Sequence, residues 1–299
     1  MTANQATVTA TFSRRMRVQF DNGLSADARI KGKKLKPVCG DKVVIESLAD
    51  EDDLLITGVS ERRNELTRTN SRGMKEVLAA NVDKLVVVVA ATPKPDWFVV
   101  DRYLCAAELM KVAGIVAYNK IDLEPNAAVD TELQNYANLG YITVKTSAET
   151  LKNIETLRES IGSSLAIIVG QSGVGKSSLI NLLVRDNLQK TAEISRKHRE
   201  GRHTTVNSSM IFLAGGAAVI DSPGVRDYAP MLESFDDVSY GFREIRDAAQ
   251  HCRFANCHHL KEPGCAVKDR VDTGIISARR YESFRRAVFL SENLNRDRY

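Results

Sequence analysis

The chain has 299 residues, 43% of them apolar and 27% charged, a composition that is ordinary for a globular protein and excludes a mainly disordered chain. Its length fits two or three domains, and its net charge of +4 is too small to identify a partner by itself. No apolar run approaches the roughly 18 residues of a membrane span, and the first residues lack a signal-peptide pattern. We therefore expect a cytoplasmic, monomeric protein with no membrane partner.

Basic residues are clustered along the chain, in residues 14–17, 31–36, 196–199 and 279–286. A cluster of this kind is found both on solvated faces and on surfaces that bind nucleic acid. For each cluster on its own, a solvated face is the favoured interpretation.

The first part of the chain is rich in short β-type segments, at residues 7–12, 16–20, 26–31, 41–47 and 54–59. Five short strands predict a small barrel over residues 1–62, and an OB-fold is the commonest such barrel that contacts nucleic acid. An SH3-like barrel is the alternative that counting strands leaves open. Few aromatic residues lie among the basic ones here, so we expect contact with phosphates rather than stacking on bases.

The chain changes character after the barrel. Residues 61–81 carry several arginines and little apolar periodicity, and they are interpreted as a linker. Predicted strands follow at 85–90, 114–118, 141–145, 165–169, 208–213 and 217–220, and predicted helices at 96–112, 131–139, 154–161 and after Lys176. Strands that alternate with helices predict a doubly wound α/β domain, assigned to residues 63–230.

A phosphate-binding pattern follows the strand at 165–169. Its members are Gly170, Gln171, Ser172, Gly173, Val174, Gly175, Lys176 and Ser177, with Ser178 next in the chain. Between a strand and a helix, this pattern predicts a P-loop whose backbone N–H groups and helix N-terminus hold the β-phosphate of a nucleotide. We expect Lys176 to reach the β- and γ-phosphates and Ser177 to bind Mg²⁺.

The base is indicated by Asn119, Lys120 and Asp122, which form the N-K-x-D of guanine-specific NTPases directly after a predicted strand. The Asp122 carboxylate can accept hydrogen bonds from N1–H and from the exocyclic amine of guanine, a pair that adenine does not supply. Ser147 and Ala148, after the strand at 141–145, predict the companion loop that supports the base. The sequence therefore predicts a site for GTP and GDP.

The γ-phosphate side of the site is indicated by Asp221 and Gly224, a D-x-x-G pattern after the strand at 217–220. Asp221 would bind Mg²⁺ through water, and the Gly224 N–H would meet the γ-phosphate. Upstream, a threonine hydroxyl is expected to bind Mg²⁺; Thr205 is favoured, and Thr204 stays open.

The residue that positions the attacking water is unusual. Val225 stands where many GTPases have glutamine, and it cannot orient water. His203, beside the two threonines, is the best substitute in the chain, with an ordinary exposed loop histidine as the alternative. Intrinsic hydrolysis is therefore expected to be slow, and a partner that orders residues 196–205 would stimulate it.

The order of these motifs carries information of its own. The guanine motif at 119 precedes the P-loop at 170, whereas ordinary GTPases have the P-loop first. This order predicts a circular permutation of the same sheet. The segment after Asp221 then runs directly into the C-terminal region, so we expect the nucleotide state to be transmitted there.

A cluster of soft ligands lies near the C-terminus, at Cys252, Cys257, His259 and Cys265. Three thiolates and one imidazole predict one closed, tetrahedral, structural zinc site, rather than disulfides in a reducing compartment. Buried or free thiols are the other interpretation. His258 is a serious alternative to His259 as the fourth ligand, and His251 a weaker one.

Helical segments are predicted on both sides of this cluster, at 242–250 and 273–293. The cluster is expected to hold together a small unit, assigned to residues 231–299, because so short a segment cannot bury much core.

Taken together, the motifs at 119–122, 170–177, 201–205, 221–226 and 252–265 resemble those of the ribosome small-subunit-dependent GTPase A family of circularly permuted GTPases. The resemblance covers essentially the whole chain and implies an OB-fold, a permuted GTPase domain and a zinc-binding domain in that order. It implies GTP hydrolysis stimulated by the small ribosomal subunit and its rRNA, in late maturation of that subunit as an assembly checkpoint. It also implies that His203 is catalytic and that zinc is bound by Cys252, Cys257, His259 and Cys265.

Two other functions remain open on the sequence. In one, the protein is an RNA-binding assembly factor for which GTP is mainly a conformational ligand. In the other, it is a signalling GTPase with a protein target, which predicts binding that is insensitive to salt, whereas phosphate contacts predict steep salt dependence.

Overall fold

The computed structural model describes residues 4–12, 15–47, 54–69, 74–188, 208–221, 230 and 232–296. Its strands and helices form an N-terminal barrel, a central α/β unit and a helical C-terminal unit. Among the described helices, none combines the length and the apolar character that crossing a bilayer requires.

The barrel consists of strands β1 (Asn4–Thr11), β2 (Arg15–Phe20), β3 (Ser25–Ile30), β4 (Lys42–Ser47) and β5 (Leu54–Val59). They are ordered β1-β2-β3-β5-β4, and β4 pairs back onto β1 to close the barrel. Alternate side chains such as Val8, Val18, Val43 and Ile56 point inward and are fully buried. The predicted OB-like barrel is confirmed, with β3 and β5 as its one parallel pair among the described strands.

Residues 61–81 are not the predicted linker. They contain a hairpin of β6 (Glu65–Thr69) and β7 (Lys75–Ala80), which pair antiparallel. Leu66 and Ala79 lie opposite each other and are buried, whereas Arg68 bonds to Glu76 across the hairpin at 2.8 Å. The charged residues between the apolar positions hide the period-two pattern.

The central sheet is formed by β8 (Lys84–Ala90), β9 (Ala113–Asn119), β10 (Ile142–Lys145), β11 (Leu165–Val169), β12 (Ser208–Phe212) and β13 (Ala218–Asp221). The strand order is β10-β9-β8-β11-β13-β12, parallel except for β12. The strand of the P-loop therefore lies in the middle of a sheet whose guanine-motif strand came earlier in the chain. The predicted permuted α/β arrangement is confirmed.

Helices cover both faces of this sheet: α1 (Trp97–Met110), α2 (Ala127–Asn138), α3 (Ile154–Ile161) and α4 (Lys176–Leu188). Leu104 of α1 and Tyr136 of α2 belong to the apolar cluster on one face, and Leu157 of α3 and Leu183 of α4 to the cluster on the other. Because β8 is apolar on both faces, it is buried between the two layers.

The barrel and the central sheet are continuous. β1 pairs antiparallel with β12 through Ala10 with Ser209 and Thr11 with Ser208, which makes one sheet of 11 strands. No sequence pattern predicts this pairing, because the two strands lie far apart in the chain.

The C-terminal unit contains α5 (Phe235–Gly241), α6 (Arg243–Ala249), α7 (Ala266–Asp272) and α8 (Ala278–Arg296). The sequence predicted α6 and α8 but missed the short helices α5 and α7. Phe242 and Phe284 share one core with Phe98 and Cys105 of α1. At Gly241 a Cβ would lie 1.8 Å from the Cys105 Sγ, so α5 and α1 approach too closely for a side chain.

A buried group of charges lies where α1 meets α8. Asp101, fully buried, accepts from Arg279 Nη1 at 2.6 Å and from Arg280 Nη1 at 2.7 Å. Arg280, only 1% exposed, also forms a two-bond ion pair with Glu244 at 2.6 and 2.9 Å, and Arg279 pairs with Glu132 at 2.6 Å. For these two arginines the solvated-face interpretation of the basic cluster at 279–286 is wrong, because their charges are neutralised inside the protein.

Candidate functional site

The P-loop connects β11 to α4 with its backbone close to two neighbours. Gly170 has φ 137°, and a Cβ there would lie 2.2 Å from the Val88 carbonyl oxygen. Gly175 has φ 93°, and a Cβ there would lie 2.3 Å from the Asn119 Nδ2. Both positions therefore require glycine, one for the sheet and one for contact with the guanine motif.

Lys176 is held inside the loop that it belongs to. Its side chain is 7% exposed, and Nζ donates to the carbonyl oxygens of Gly170 at 2.7 Å and Gln171 at 2.5 Å. Ser172, Ser177 and Ser178 are exposed at the turn and at the start of α4, whereas Val174 packs into the core. The ammonium group is thus held inside the loop by two backbone carbonyl oxygens.

The guanine motif is bonded directly to the P-loop. Asn119 Nδ2 donates to the Val174 carbonyl oxygen at 3.0 Å, and Lys120 Nζ donates to that of Gly173 at 2.7 Å. Lys120 Nζ also donates to the Thr92 carbonyl oxygen at 3.0 Å. The bonds from Asn119 and Lys120 join residues that lie 55 and 53 positions apart in the chain. The structure thus brings the two motifs together.

The companion loop joins the same network. The Asn119 Oδ1 accepts from Thr146 Oγ1 at 3.2 Å and from the Ala148 N–H at 3.1 Å. The Ser147 hydroxyl is buried and donates to the Asp122 carboxylate, which lies on an exposed turn. Ser147 therefore orients the carboxylate that the sequence assigned to the base.

Asp221 is the last residue of β13, and in the parallel register it stands beside Ile168 of β11. Because the carboxyl ends of parallel strands meet at one edge of a sheet, Asp221 and the P-loop share that edge. The other residues assigned to the γ-phosphate, His203, Thr204, Thr205 and Gly224, lie outside the described residues, as does Val225.

Sequence reasoning missed one contact of the site. The Asp96 N–H, just before α1, donates to the Gln171 Oε1 at 3.1 Å. Together with the Thr92 bond, it fastens residues 92–96 to both nucleotide motifs. No sequence signal links this segment to the P-loop, because the contact depends on the strand order.

The four C-terminal ligands come together in space. One ligand atom from each of Cys252, Cys257, His259 and Cys265 lies within 4.8 Å of every other. The His259 Nδ1 is 3.5 Å from the Cys252 Sγ and 3.6 Å from the Cys265 Sγ. His258 instead stacks on Phe235, with ring centroids 4.2 Å apart. This group can hold a metal ion.

The protonation of the group fits a metal site. Burial raises the pKa of the Cys257 thiol to about 12 and lowers the pKa of His259. Neutral imidazole is the form that ligates metal, but a thiol with so high a pKa becomes a thiolate only if a cation shares the site. The donor set of three sulfurs and one imidazole nitrogen therefore matches a soft divalent ion.

Glu262 organises the loop that carries His259, a role the sequence reasoning did not find. Its carboxylate accepts from the N–H groups of His258, Leu260 and Lys261 at 2.9–3.1 Å. Burial acts to raise the Glu262 pKa, but these bonds outweigh it and hold the pKa at about 2. The carboxylate is therefore ionised at any ordinary pH and keeps the loop closed.

Comparisons with known proteins agree with this geometry. A family model described as RsgA GTPase matches residues 59–230. The chain is 36% identical over 266 residues to the "Small ribosomal subunit biogenesis GTPase RsgA" of Saccharophagus degradans, covering 86% of this chain and 77% of that protein. It is 39% identical over 251 residues to the protein of the same name from Azotobacter vinelandii, covering 83% and 73%.

Two solved structures are similar over nearly the whole chain. The crystal structure of YjeQ from Thermotoga maritima has a TM-score of 0.74 and 27% identity, covering 96% of this chain and 98% of that one. YloQ, described as a circularly permuted GTPase, has a TM-score of 0.71 and 26% identity, covering 97% and 96%.

Proposed function

This chain belongs to the RsgA GTPase family, and we propose that it hydrolyses GTP to GDP and phosphate in the biogenesis of the small ribosomal subunit. The observation that carries the proposal is the direct bonding of the guanine motif to the P-loop through Asn119 and Lys120. A site built in this way selects the base and the phosphates of one ligand together.

We assign the phosphates and Mg²⁺ to the P-loop edge of the sheet. Residues 170–178 would surround the phosphates with backbone N–H groups, and the Lys176 ammonium would move from its carbonyl partners to the β- and γ-phosphates. Mg²⁺ would be held by Ser177 and Thr205, with Thr204 as the alternative, and by Asp221 through water. Hydroxyl and carboxylate oxygens are the donors that this hard cation prefers, so the residues present fit it.

We assign guanine to Asp122, positioned by Ser147, with Ala148 and Lys120 beside the base. Asn119 connects this subsite to the P-loop. For hydrolysis we assign His203 to orient water and the Gly224 N–H to meet the γ-phosphate. Val225 does not replace the missing glutamine, so the small subunit would have to order the loop for rapid turnover.

We further propose that the ion of the Cys/His group is one structural zinc per chain, bound by Cys252, Cys257, His259 and Cys265. Zinc suits three sulfurs and a nitrogen in a closed tetrahedron, and it would supply the charge that keeps the buried thiols ionised. We propose the domain boundaries 1–62, 63–230 and 231–299, with the barrel and the zinc-binding unit as the parts that contact rRNA. We also propose that the protein works as a monomer in the cytoplasm, where ribosomal subunits mature.

Steady-state GTP turnover tests the proposal, measured with and without purified small ribosomal subunits at low and high salt. We expect strong stimulation that is lost at high salt, because phosphate contacts weaken as salt rises. His203→Ala should lose the stimulated rate, whereas His198→Ala, a histidine of the same segment, should keep it. Unchanged stimulation in His203→Ala would overturn the catalytic assignment of His203. Absence of stimulation in the wild type would overturn the small subunit as the activating partner.

A further inference from the structure

A groove of about 440 Å³ lies between the start of α1 and one side of α8. Residues 94–98 form one wall, and Arg279, Glu282, Ser283 and Arg286 of α8 form the other. We call this the α1–α8 groove. It is separate from the guanine-nucleotide site, although its first wall reaches the P-loop through the bond from the Asp96 N–H to Gln171.

The groove carries two positively charged side chains that can bind an anion. Neither Lys94 nor Arg286 has a carboxylate partner among the residues that the structure describes, and both are exposed. The two acidic residues of the lining already have partners: Asp96 caps α1 by accepting from Phe98 N–H at 3.0 Å, and Glu282 pairs with Arg285 at 3.0 Å. An anion in the groove would therefore be held by Lys94 and Arg286.

A second arginine, Arg102, adds positive charge next to Arg286. Arg102 lies 5.7 Å from the centroid of the Phe98 ring, and Arg286 lies 4.0 Å from the same centroid. Burial lowers the Arg102 pKa, and the nearby charge of Arg286 adds to that shift. Two guanidinium groups on one ring repel each other, and an anion beside Arg286 would relieve that repulsion.

The same walls offer surfaces for stacking. Trp97 is half-buried in the lining, and Arg286 rests one face of its guanidinium on Phe98. Indole rings and guanidinium planes are the groups on which unpaired RNA bases stack. The volume is that of a pocket for a ligand of nucleotide size.

We propose that the α1–α8 groove holds one unpaired nucleotide of single-stranded RNA, with its base against Trp97 and Arg286 and its phosphate at Lys94. This inference rests on the proposed function for the source of the RNA, and it specifies a place where that RNA is held. A nucleotide bound there lies one hydrogen bond away from the P-loop, across Asp96 and Gln171.

Trp97 makes the proposal directly measurable because it is the only tryptophan of the 299 residues. The full-length protein, saturated with GDP, is titrated with a short single-stranded RNA while tryptophan emission is recorded. We expect a saturable change whose midpoint rises with salt. Lys94→Ala and Arg286→Ala should each weaken binding roughly tenfold, the loss of one charge-assisted contact.

Lys152→Ala is the matched control for Lys94→Ala, since Lys152 is likewise exposed and does not line the groove; its midpoint should stay within about twofold of wild type. Lys94 is exposed, so Lys94→Ala keeps the test independent of folding, whereas Arg286→Ala also loses its packing on Phe98. Equal weakening by Lys152→Ala, or labelled RNA that binds without changing Trp97 emission, would overturn the proposal.

Cytidine monophosphate and inorganic phosphate serve as further probes under the same conditions. If the free nucleotide binds as tightly as RNA, the groove is a site for a small nucleotide, and the RNA proposal fails. An equal response to phosphate alone would show a simple anion site and also overturn it. Because these binding titrations need no GTP turnover, they test the RNA site independently of the hydrolysis assay that tests the proposed function.

Discussion

The central unit is joined to its two neighbours by different means. At the barrel, β1 meets β12 along a strand edge through two residue pairs, Cys39 alone of the described barrel residues enters the central core, and the barrel keeps an apolar core of its own. At the C-terminal unit, α1 shares a core with Phe242 and Phe284, and buried ion pairs cross the contact. The barrel is thus attached to the central unit, whereas the C-terminal unit is part of the same packed body.

This difference bears on how nucleotide state could be transmitted. A shared core moves as one piece, because packed interiors do not deform continuously. A strand edge with few pairs can slide or separate at lower cost. The five predictions below test the comparison, beginning with the largest expected effect.

Removal of the proposed zinc ion should affect the C-terminal unit most. Zinc binding to comparable small sites is worth roughly 10–16 kcal/mol at neutral pH, so a chelator should strongly lower the unfolding temperature of this unit. His259→Asn should lose the proposed zinc, whereas His258→Asn should retain it and lose only stacking on Phe235. Metal content and thermal unfolding measure both, and equal zinc in the two variants would contradict the ligand assignment.

Asp101→Asn tests the buried contact between α1 and α8. It removes one of the two counter-charges of Arg279 and of Arg280, which keep Glu132 and Glu244, and Arg280 at 1% exposure has no access to water. The expected loss is about 3–5 kcal/mol in the free energy of unfolding, measured with denaturant near neutral pH. A loss below 1 kcal/mol would mean that the two units are not held together by these charges.

The same variant should show a particular pH dependence. Burial acts to raise the Asp101 pKa, but the charges of Arg280 and Arg279 outweigh it, so the pKa in the folded protein is below its ordinary value. The stabilisation is complete above the unfolded pKa of about 3.9 and is lost as the pH falls towards the folded pKa. The difference in the free energy of unfolding between wild type and Asp101→Asn should therefore become smaller as the pH falls below about 3.9.

Asp41→Asn tests the charges that lead from the barrel to β6, since Arg62 bonds both to Asp41 and, at 2.9 Å, to Glu65, and it should cost less. The Asp41 side chain is fully buried and accepts from Arg62 at 2.7 and 2.8 Å, but the Arg62 side chain is 21% exposed. The Arg62 guanidinium, once it lacks its carboxylate partner, can turn to water. We therefore expect a loss of roughly 1.5–3 kcal/mol in the free energy of unfolding, measured by denaturant unfolding. A cost as large as that of Asp101→Asn would erase the distinction between the two joints.

Asp27→Asn sets the lower limit of the series. Its pair with Arg17 lies on the barrel surface at 2.9 Å, with side-chain exposures of 43% and 36%. Water already screens both charges, so the expected change is less than about 1 kcal/mol. The same unfolding measurement applies, and a larger loss would indicate that barrel surface charges hold structure that the contacts do not show.

The local part of the fold could be predicted from the sequence. The strands at Leu54–Val59 and Leu165–Val169 and the helix at Ile154–Ile161 have the predicted bounds, because continuous apolar runs and turn residues mark both ends. The short helix at Phe235–Gly241 was missed, although Ser234 and Asp237 form a capping box that a closer reading could have recognised.

The candidate site was predictable to the extent that it consists of contiguous motifs. Backbone loops such as the P-loop carry their geometry in neighbouring residues, so the pattern alone predicts a phosphate site. The partner of Arg280 could not be foreseen, because Asp101 is 179 residues away and only packing decides which surface arginines become buried. The β1–β12 pairing could not be predicted either, because no local sequence pattern specifies the register between strands that lie far apart in the chain.

The position of β8 has a consequence for the chain during synthesis. β8 pairs with β9 on one side, but its other neighbour is β11, which the ribosome makes only later. β1 likewise lacks its partner β12 until Ser208–Phe212 has emerged. The nascent protein therefore carries two open strand edges, one of them almost entirely apolar, for much of its translation. A permuted order that places the guanine motif first thus leaves the newborn chain dependent on protection by the exit tunnel or by chaperones until its second half is made.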